Sequence, residues 1–243
     1  LRRAPDVRQA CTLAFGPAIG QASVLSLRSL QGVVGAFEWR KNGVEVPALG
    51  EALRIFPHYG VFSPIRGEYV ALVAKAPWPA AMGTHSVAFD IGVGTGVLSA
   101  ALARRGAAQV VGVDVGSGQL NTRLRGDARV IAIEHCNARE LTAQRLREAG
   151  AEPPFDLIVG DLSFISQTLV WPALLPLMAP GAHALMLVKP QFELQPQHVG
   201  KGGLVKDAAS HALVQARIGD TLQVLGLPVL DYFDSQITGG DGN

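Results

Sequence analysis

Cysteine is scarce in this chain: Cys11 and Cys136 are the only two in 243 residues. Two cysteines cannot build the disulfide framework of a small secreted domain, and they suit a reducing cytosol. Charge of one sign is lacking too, with 21 Lys and Arg against 20 Asp and Glu for a formal net charge of +1. That balance neither demands nor excludes nucleic acid, because a basic patch can sit on a balanced surface. No apolar run reaches the roughly 18 residues of a membrane span, and no signal-peptide pattern is seen. A cytoplasmic protein with no membrane partner is therefore expected. The six histidines show no metal-ligand spacing, so no metal site is expected either. What is present is 48% hydrophobic residues with 17% charged, enough for one large domain or one domain with a small appendage.

Residues 1–80 read as an irregular accessory region. "CTLAFGPAIGQASVLSLRSL" suggests a helix, and "VVGAFEWRKNGVEVPAL" reads as a hairpin about Asn42-Gly43. A helix over 67–75 is expected to end at Pro77 and Pro79. His58, Tyr59, Arg66 and Glu68 are candidates for a lid, or simply polar loop groups. Residues 81–243 are regular. Strands "SVAFDIG", "QVVGVDV", "VIAIEH", "FDLIVGDL" and "HALMLVKP" alternate with helices at 95–106, near Gln119, at 138–149, at 166–178 and at 208–225. Short β-branched runs alternating with amphipathic helices predict an α/β fold, a doubly wound and mostly parallel sheet covered on both faces. Cys136 on its apolar strand reads as core.

Ligands bind such sheets beyond the carboxyl ends of the strands. There stands "DIGVGTG", with Asp90, Gly92, Gly94 and Gly96 opening a helix. The spacing D-x-G-x-G-x-G is not the dinucleotide fingerprint G-x-G-x-x-G. It resembles the first motif of class I methyltransferases, a Rossmann-like class that binds S-adenosylmethionine. Glycines let the backbone turn sharply and let a ligand approach bare backbone, or else serve packing alone. Asp114 ends the next strand, where a carboxylate accepts ribose hydroxyls; an N-cap role is the plainer alternative. The fourth strand ends in "DLSF" rather than the Asn-Pro-Pro-aromatic turn of many amino methyltransferases, and the fifth ends in Lys189 of "LVKPQFE". Asp161 and Lys189 at neighbouring strand ends can meet and act on an acceptor hydroxyl, or form an ordinary surface ion pair.

From Val113 onward, "VDVGSGQL", "NAREL", "DLSFIS", "LVKPQFE", "HVGKGGLVKD" and "SQITGGDGN" resemble the TlyA family, ribosomal RNA 2′-O-methyltransferases with an FtsJ-like catalytic domain. By that resemblance Asp161 and Lys189 belong to a Lys-Asp-Lys-Glu set for ribose methylation. Asn137 would lie near the cofactor adenine, and the acceptor would be ribosomal RNA, naked or within a subunit. Read from its residues alone, the glycine-rich basic loop with Lys201 and Lys206 suits phosphates, or is simply solvated. The first half departs from the family. No S4 segment is recognised, and "IFPHYGVFSPIRGEYVALVAKAPWP" with "FDIGVGTGVLSAALARRG" resembles small-domain, HemK-like methyltransferases. The family's first Lys falls at Ala71, one helical turn from Lys75, a candidate substitute; the final Glu would follow Asn243. A fragment or composite chain is thus expected, with donor binding separable from turnover. Two alternatives remain: a base or protein-amide methyltransferase, and a non-catalytic RNA-binding protein that keeps the cofactor fold.

Overall fold

The computed structural model describes residues 5–18, 20, 22, 24–46, 54–56, 59, 70, 73, 76, 84–200, 204–205 and 207–235. Helix α1 (Val7–Phe15) starts where the Asp6 side chain accepts a hydrogen bond from the Gln9 N–H, and α2 (Leu27–Asn42) starts at Ser26 in the same manner. The expected hairpin about Asn42-Gly43 is not formed. Helix runs through Asn42, and Gly43, at φ 72°, ends it with its N–H on the Trp39 carbonyl. Asn-Gly serves a helix terminus as well as a tight turn, because both need a left-handed residue. Strands β1 (Val44–Glu45) and β2 (Arg54–Ile55) then pair antiparallel. Of the helix expected at 67–75, only Val70 and Val73 are described; both are helical and buried. His58, Arg66, Glu68, Ala71, Lys75, Lys201 and Lys206 lie outside the described residues.

The remaining elements are β3 (Val87–Ile91), α3 (Val97–Arg104), β4 (Gln109–Val113), α4 (Thr122–Arg125), β5 (Val130–Ile133), α5 (Ala143–Glu148), β6 (Phe155–Gly160), α6 (Trp171–Leu174), β7 (Met178–Met186), α7 (Pro190–Glu193) and α8 (Ala208–Val224). The larger described sheet has the order β5-β4-β3-β6-β7 with every pair parallel. The chain winds outward from β3 to β5 and then returns to the other side of β3, so a crevice opens between β3 and β6.

Three expected helices are shorter than their pattern. Near Gln119, helix covers only Thr122–Arg125. The 138–149 run breaks because Asn137 caps a 3₁₀ turn over Ala138–Glu140 and Thr142 caps α5 afresh. The 166–178 run splits into 3₁₀, α and 3₁₀ pieces around Pro172 and Pro176, which cannot donate to a helical ladder. Strand β7 stops at Met186, short of the expected Pro190; Lys189 stays extended because a residue before proline is driven from the helical region.

Alternation along β3 divides the core. Phe89 and Ile91 join Phe155, Ile158, Leu174, Val214 and Ile218 under α6 and α8, with the Phe89 and Phe155 rings stacked at 4.5 Å. Ala88 faces α3 together with Val46, Ile55, Val70 and Val73. Cys136 is buried in the first cluster.

Candidate active site at the carboxyl ends of the strands

Asp90 stands on the α3 side of β3 at 1% exposure, where Ser99 of α3 donates to its Oδ2 at 2.6 Å. Its Oδ1 is buried with no hydrogen-bond partner among the described residues. Burial pushes this carboxyl up to about 7; the Ser99 hydrogen bonds oppose the rise, and the charges of Asp161 and Asp114 add to it.

The three glycines after Asp90 have different tasks. Gly92, at φ +78°, passes so close to β6 that a Cβ would lie 2.8 Å from the Asp161 carbonyl oxygen. At Gly96, at φ +85°, a Cβ would strike Leu120 and Leu124. Packing alone forbids a side chain at these two positions, whether or not a ligand lies along the same backbone. Gly94 differs: at φ +46° its missing Cβ faces open space, with the nearest atom, the Gly92 carbonyl oxygen, at 3.9 Å. Beside it, Asp114 accepts from the Gly94 N–H at 2.9 Å through Oδ2 and from the Gly116 N–H at 2.8 Å through Oδ1. The backbone thereby orients both oxygens, and each keeps lone-pair capacity for a further donor. Asn137 caps its own turn by accepting from the Arg139 N–H at 3.1 Å, one residue after Cys136, whose N–H reaches the Asp114 carbonyl at 2.9 Å.

Across the crevice, Lys189 Nζ lies 2.6 Å from Asp161 Oδ1, with the side chains 16% and 10% exposed. The contact is a charge pair without hydrogen-bond alignment, while the same ammonium donates to Ser163 Oγ at 2.8 Å. The Asp161 N–H is held by the Ile91 carbonyl, which fixes this pair against the strand that carries Asp90. Phe164 follows at φ 63° and 91% exposure, its ring 5.0 Å from that of Phe192.

The structure thus brings Asp90, Gly94, Asp114, Asp161 and Lys189 to one end of the sheet. Ser163, Phe164, Ser166 and Glu193 belong to the same constellation and were not singled out from the sequence. The signals for them were a lone aromatic in "DLSF" and a carboxylate one short turn after Lys189. No group of His, Cys, Asp and Glu suited to a metal occurs among the described residues.

Five parallel strands with a glycine loop at the switch point and an acid ending the second strand define a Rossmann-like methyltransferase fold. The pattern of the FtsJ-like methyltransferases matches residues 79–243. The chain belongs to that family. It is 42% identical over 154 residues to the 16S/23S rRNA (cytidine-2′-O)-methyltransferase TlyA of Mycobacterium tuberculosis, covering 63% of this chain and 56% of that protein. It is 32% identical over 159 residues to Hemolysin A of Brachyspira hyodysenteriae, covering 65% of each. The chain thus spans little more than half the length of the TlyA protein it matches. A solved hemolysin-type protein of Streptococcus thermophilus superposes with a TM-score of 0.64 at 31% identity, over 80% of this chain and 66% of that one. Another, from Lactococcus lactis, gives 0.61 at 31% identity over 65% and 74%.

The donor of this class of methyltransferases is S-adenosylmethionine, and the site fits it. An unsatisfied buried carboxylate oxygen at Asp90 and two nearby acids suit a cationic ligand. The open face of Gly94 leaves room for it, and the anchored Asp114 suits two adjacent hydroxyls.

Proposed function

We propose that this chain is an S-adenosylmethionine-dependent methyltransferase that modifies a ribose 2′-hydroxyl of ribosomal RNA, in a cytoplasmic setting. Residues 81–243 form the methyltransferase unit and residues 1–80 an accessory region, a division supported by the family match beginning at residue 79. The observation that carries the reading is the Lys189–Asp161 pair at 2.6 Å beside the cradle of Gly94 and Asp114.

In this reading Asp90, Gly92, Gly94, Gly96, Asp114 and Asn137 hold the donor, and Asp161 borders it from the acceptor side. Gly94 admits it against backbone, and Asp114 accepts its ribose hydroxyls. The bound donor supplies a methyl already activated on a sulfonium. What the chain adds is alignment of an acceptor oxygen in line with that methyl. Lys189 orients the acceptor hydroxyl and stabilises the negative charge that grows on its oxygen as the hydroxyl proton passes to water, and Asp161 holds the ammonium in place. Lys75 is assigned the role of the set's first cation by its position in the sequence. Exposed Phe164 offers a ring on which an unpaired base can stack. An Asp in place of the Asn-Pro-Pro-aromatic turn lacks the donor–acceptor pair that a target amine requires, which disfavours base and amide acceptors.

The test is transfer of labelled methyl from S-adenosylmethionine to naked rRNA and to isolated ribosomal subunits, followed by nuclease mapping. Label in 2′-O-methylnucleosides is expected. Label confined to bases or to protein would overturn the assignment.

A further inference from the structure

We infer that Glu193 is a positioning residue, a buried clamp that holds the loop carrying Asp161, Ser163 and Phe164 in register with Lys189. The inference rests on the acceptor-side reading of that loop given above.

Two separate segments must meet for the pair to form. One leaves β6 at Gly160 and the other leaves β7 at Met186. The first carries a non-glycine residue in the left-handed region, Phe164 at φ 63°. Such a residue holds only where its surroundings over-determine it. Glu193 ends α7, one short turn after Lys189, and is 2% exposed. Both carboxylate oxygens are taken by the opposite segment. Oε2 accepts from Ser166 Oγ at 2.5 Å, and Oε1 accepts from the Gln167 N–H at 2.9 Å. The lock is reciprocal, since Gln167 Nε2 donates to the Leu187 carbonyl at 2.7 Å. Phe164 and Phe192 touch above it, and Arg217 of α8 donates to the Glu193 carbonyl, tying the clamp to the core helix.

A carboxylate is costly to bury, and an apolar residue would fill the space more cheaply. What an apolar residue cannot do is accept two hydrogen bonds at a fixed separation from one loop. Two hydrogen bonds at a fixed separation hold the loop in register rather than merely covering it. None of its contacts reaches Gly94 or Asp114. The clamp therefore acts on the acceptor side and leaves the donor cradle alone.

Four variants test this: Glu193→Ala, Glu193→Gln, Ser166→Ala and the Glu193→Ala/Ser166→Ala double, each assayed well below its Tm. The readouts are calorimetric affinity for S-adenosylmethionine, kcat and KM with rRNA, and amide hydrogen exchange over residues 161–168. Glu193→Ala is expected to lower kcat by about 10²-fold, the order for a displacement near 1 Å, with donor Kd held within about twofold and faster exchange at Gln167. Glu193→Gln should recover most of the rate, because an amide oxygen still accepts from Gln167 and its NH₂ still reaches Ser166. Adding Ser166→Ala to Glu193→Ala should cost little more, since both cut one unit. Wild-type kcat in Glu193→Ala, equal loss of donor affinity and turnover, or a Gln variant no better than Ala overturns the clamp. If the unsubstituted chain transfers no methyl to rRNA, the acceptor assignment fails by itself. Exchange then decides the clamp, and unchanged protection at residues 161–168 in Glu193→Ala overturns it.

Discussion

Asp90→Asn should flatten a pH dependence of stability that the native chain carries. The native carboxyl is 1% exposed, has one described hydrogen bond, from Ser99, and keeps an unpartnered oxygen. Burial raises it from 3.8 to about 7. Between those values the folded protein holds a proton that the unfolded chain has released, so stability falls as pH rises. Its contribution is complete below about pH 4 and is lost as pH passes through about 7. Three units at about 1.4 kcal/mol each give a loss of roughly 4 kcal/mol across the window. Asparagine keeps the shape and cannot ionise, so its own contribution is the same at every pH. Urea denaturation of both proteins at half-unit steps from pH 4.5 to 8 measures the difference directly. The gap should move in favour of Asp90→Asn by several kcal/mol as pH rises. A gap constant with pH would show that Asp90 is solvated or neutralised by a group outside the described residues, and the electrostatic account of the site would fall. A cationic donor favours the charged carboxylate, so donor affinity in the native protein should rise through the same window and the variant should lack that rise.

Gly94→Val places a branched side chain in the open space of the cradle and forces strain at φ +46°; calorimetry should show S-adenosylmethionine binding abolished with the far-UV spectrum kept. Asp114→Ala removes the acceptor for two hydroxyls and should weaken the donor by about 1–3 kcal/mol; unchanged affinity in titration would remove Asp114 from the site. Lys189→Met should cut methyl transfer by about 10²–10⁴-fold while donor Kd holds, and Asp161→Ala should resemble it; parallel loss of donor binding in both would make the pair part of the cofactor pocket alone. Phe164→Ala should raise KM for RNA in line with a lost stack of about 1–3 kcal/mol, and a KM equal to the native value would deny the ring its part in binding.

The sheet strands were legible in the sequence because each depends on a short apolar run, and so was the coming together of Asp90, Asp114, Asp161 and Lys189, because the carboxyl ends of parallel strands lie side by side. Helix α8, Ala208–Val224, was equally readable from its period. Asn42-Gly43 was not, since the same dipeptide ends a helix or turns a hairpin, and the helix that ends there is one that buries Val33. Glycine spacing marked the loop but could not divide its labour. Gly92 is excluded from bearing a side chain by Asp161, a residue distant in the chain, whereas Gly94 faces open space. Glu193 shows the limit most plainly. A carboxylate in a short turn reads locally as a solvated group, and it becomes a buried acceptor only because residues 166–167 and Arg217 close over it from other elements. Burial is a property of packing between segments, and no local pattern carries it.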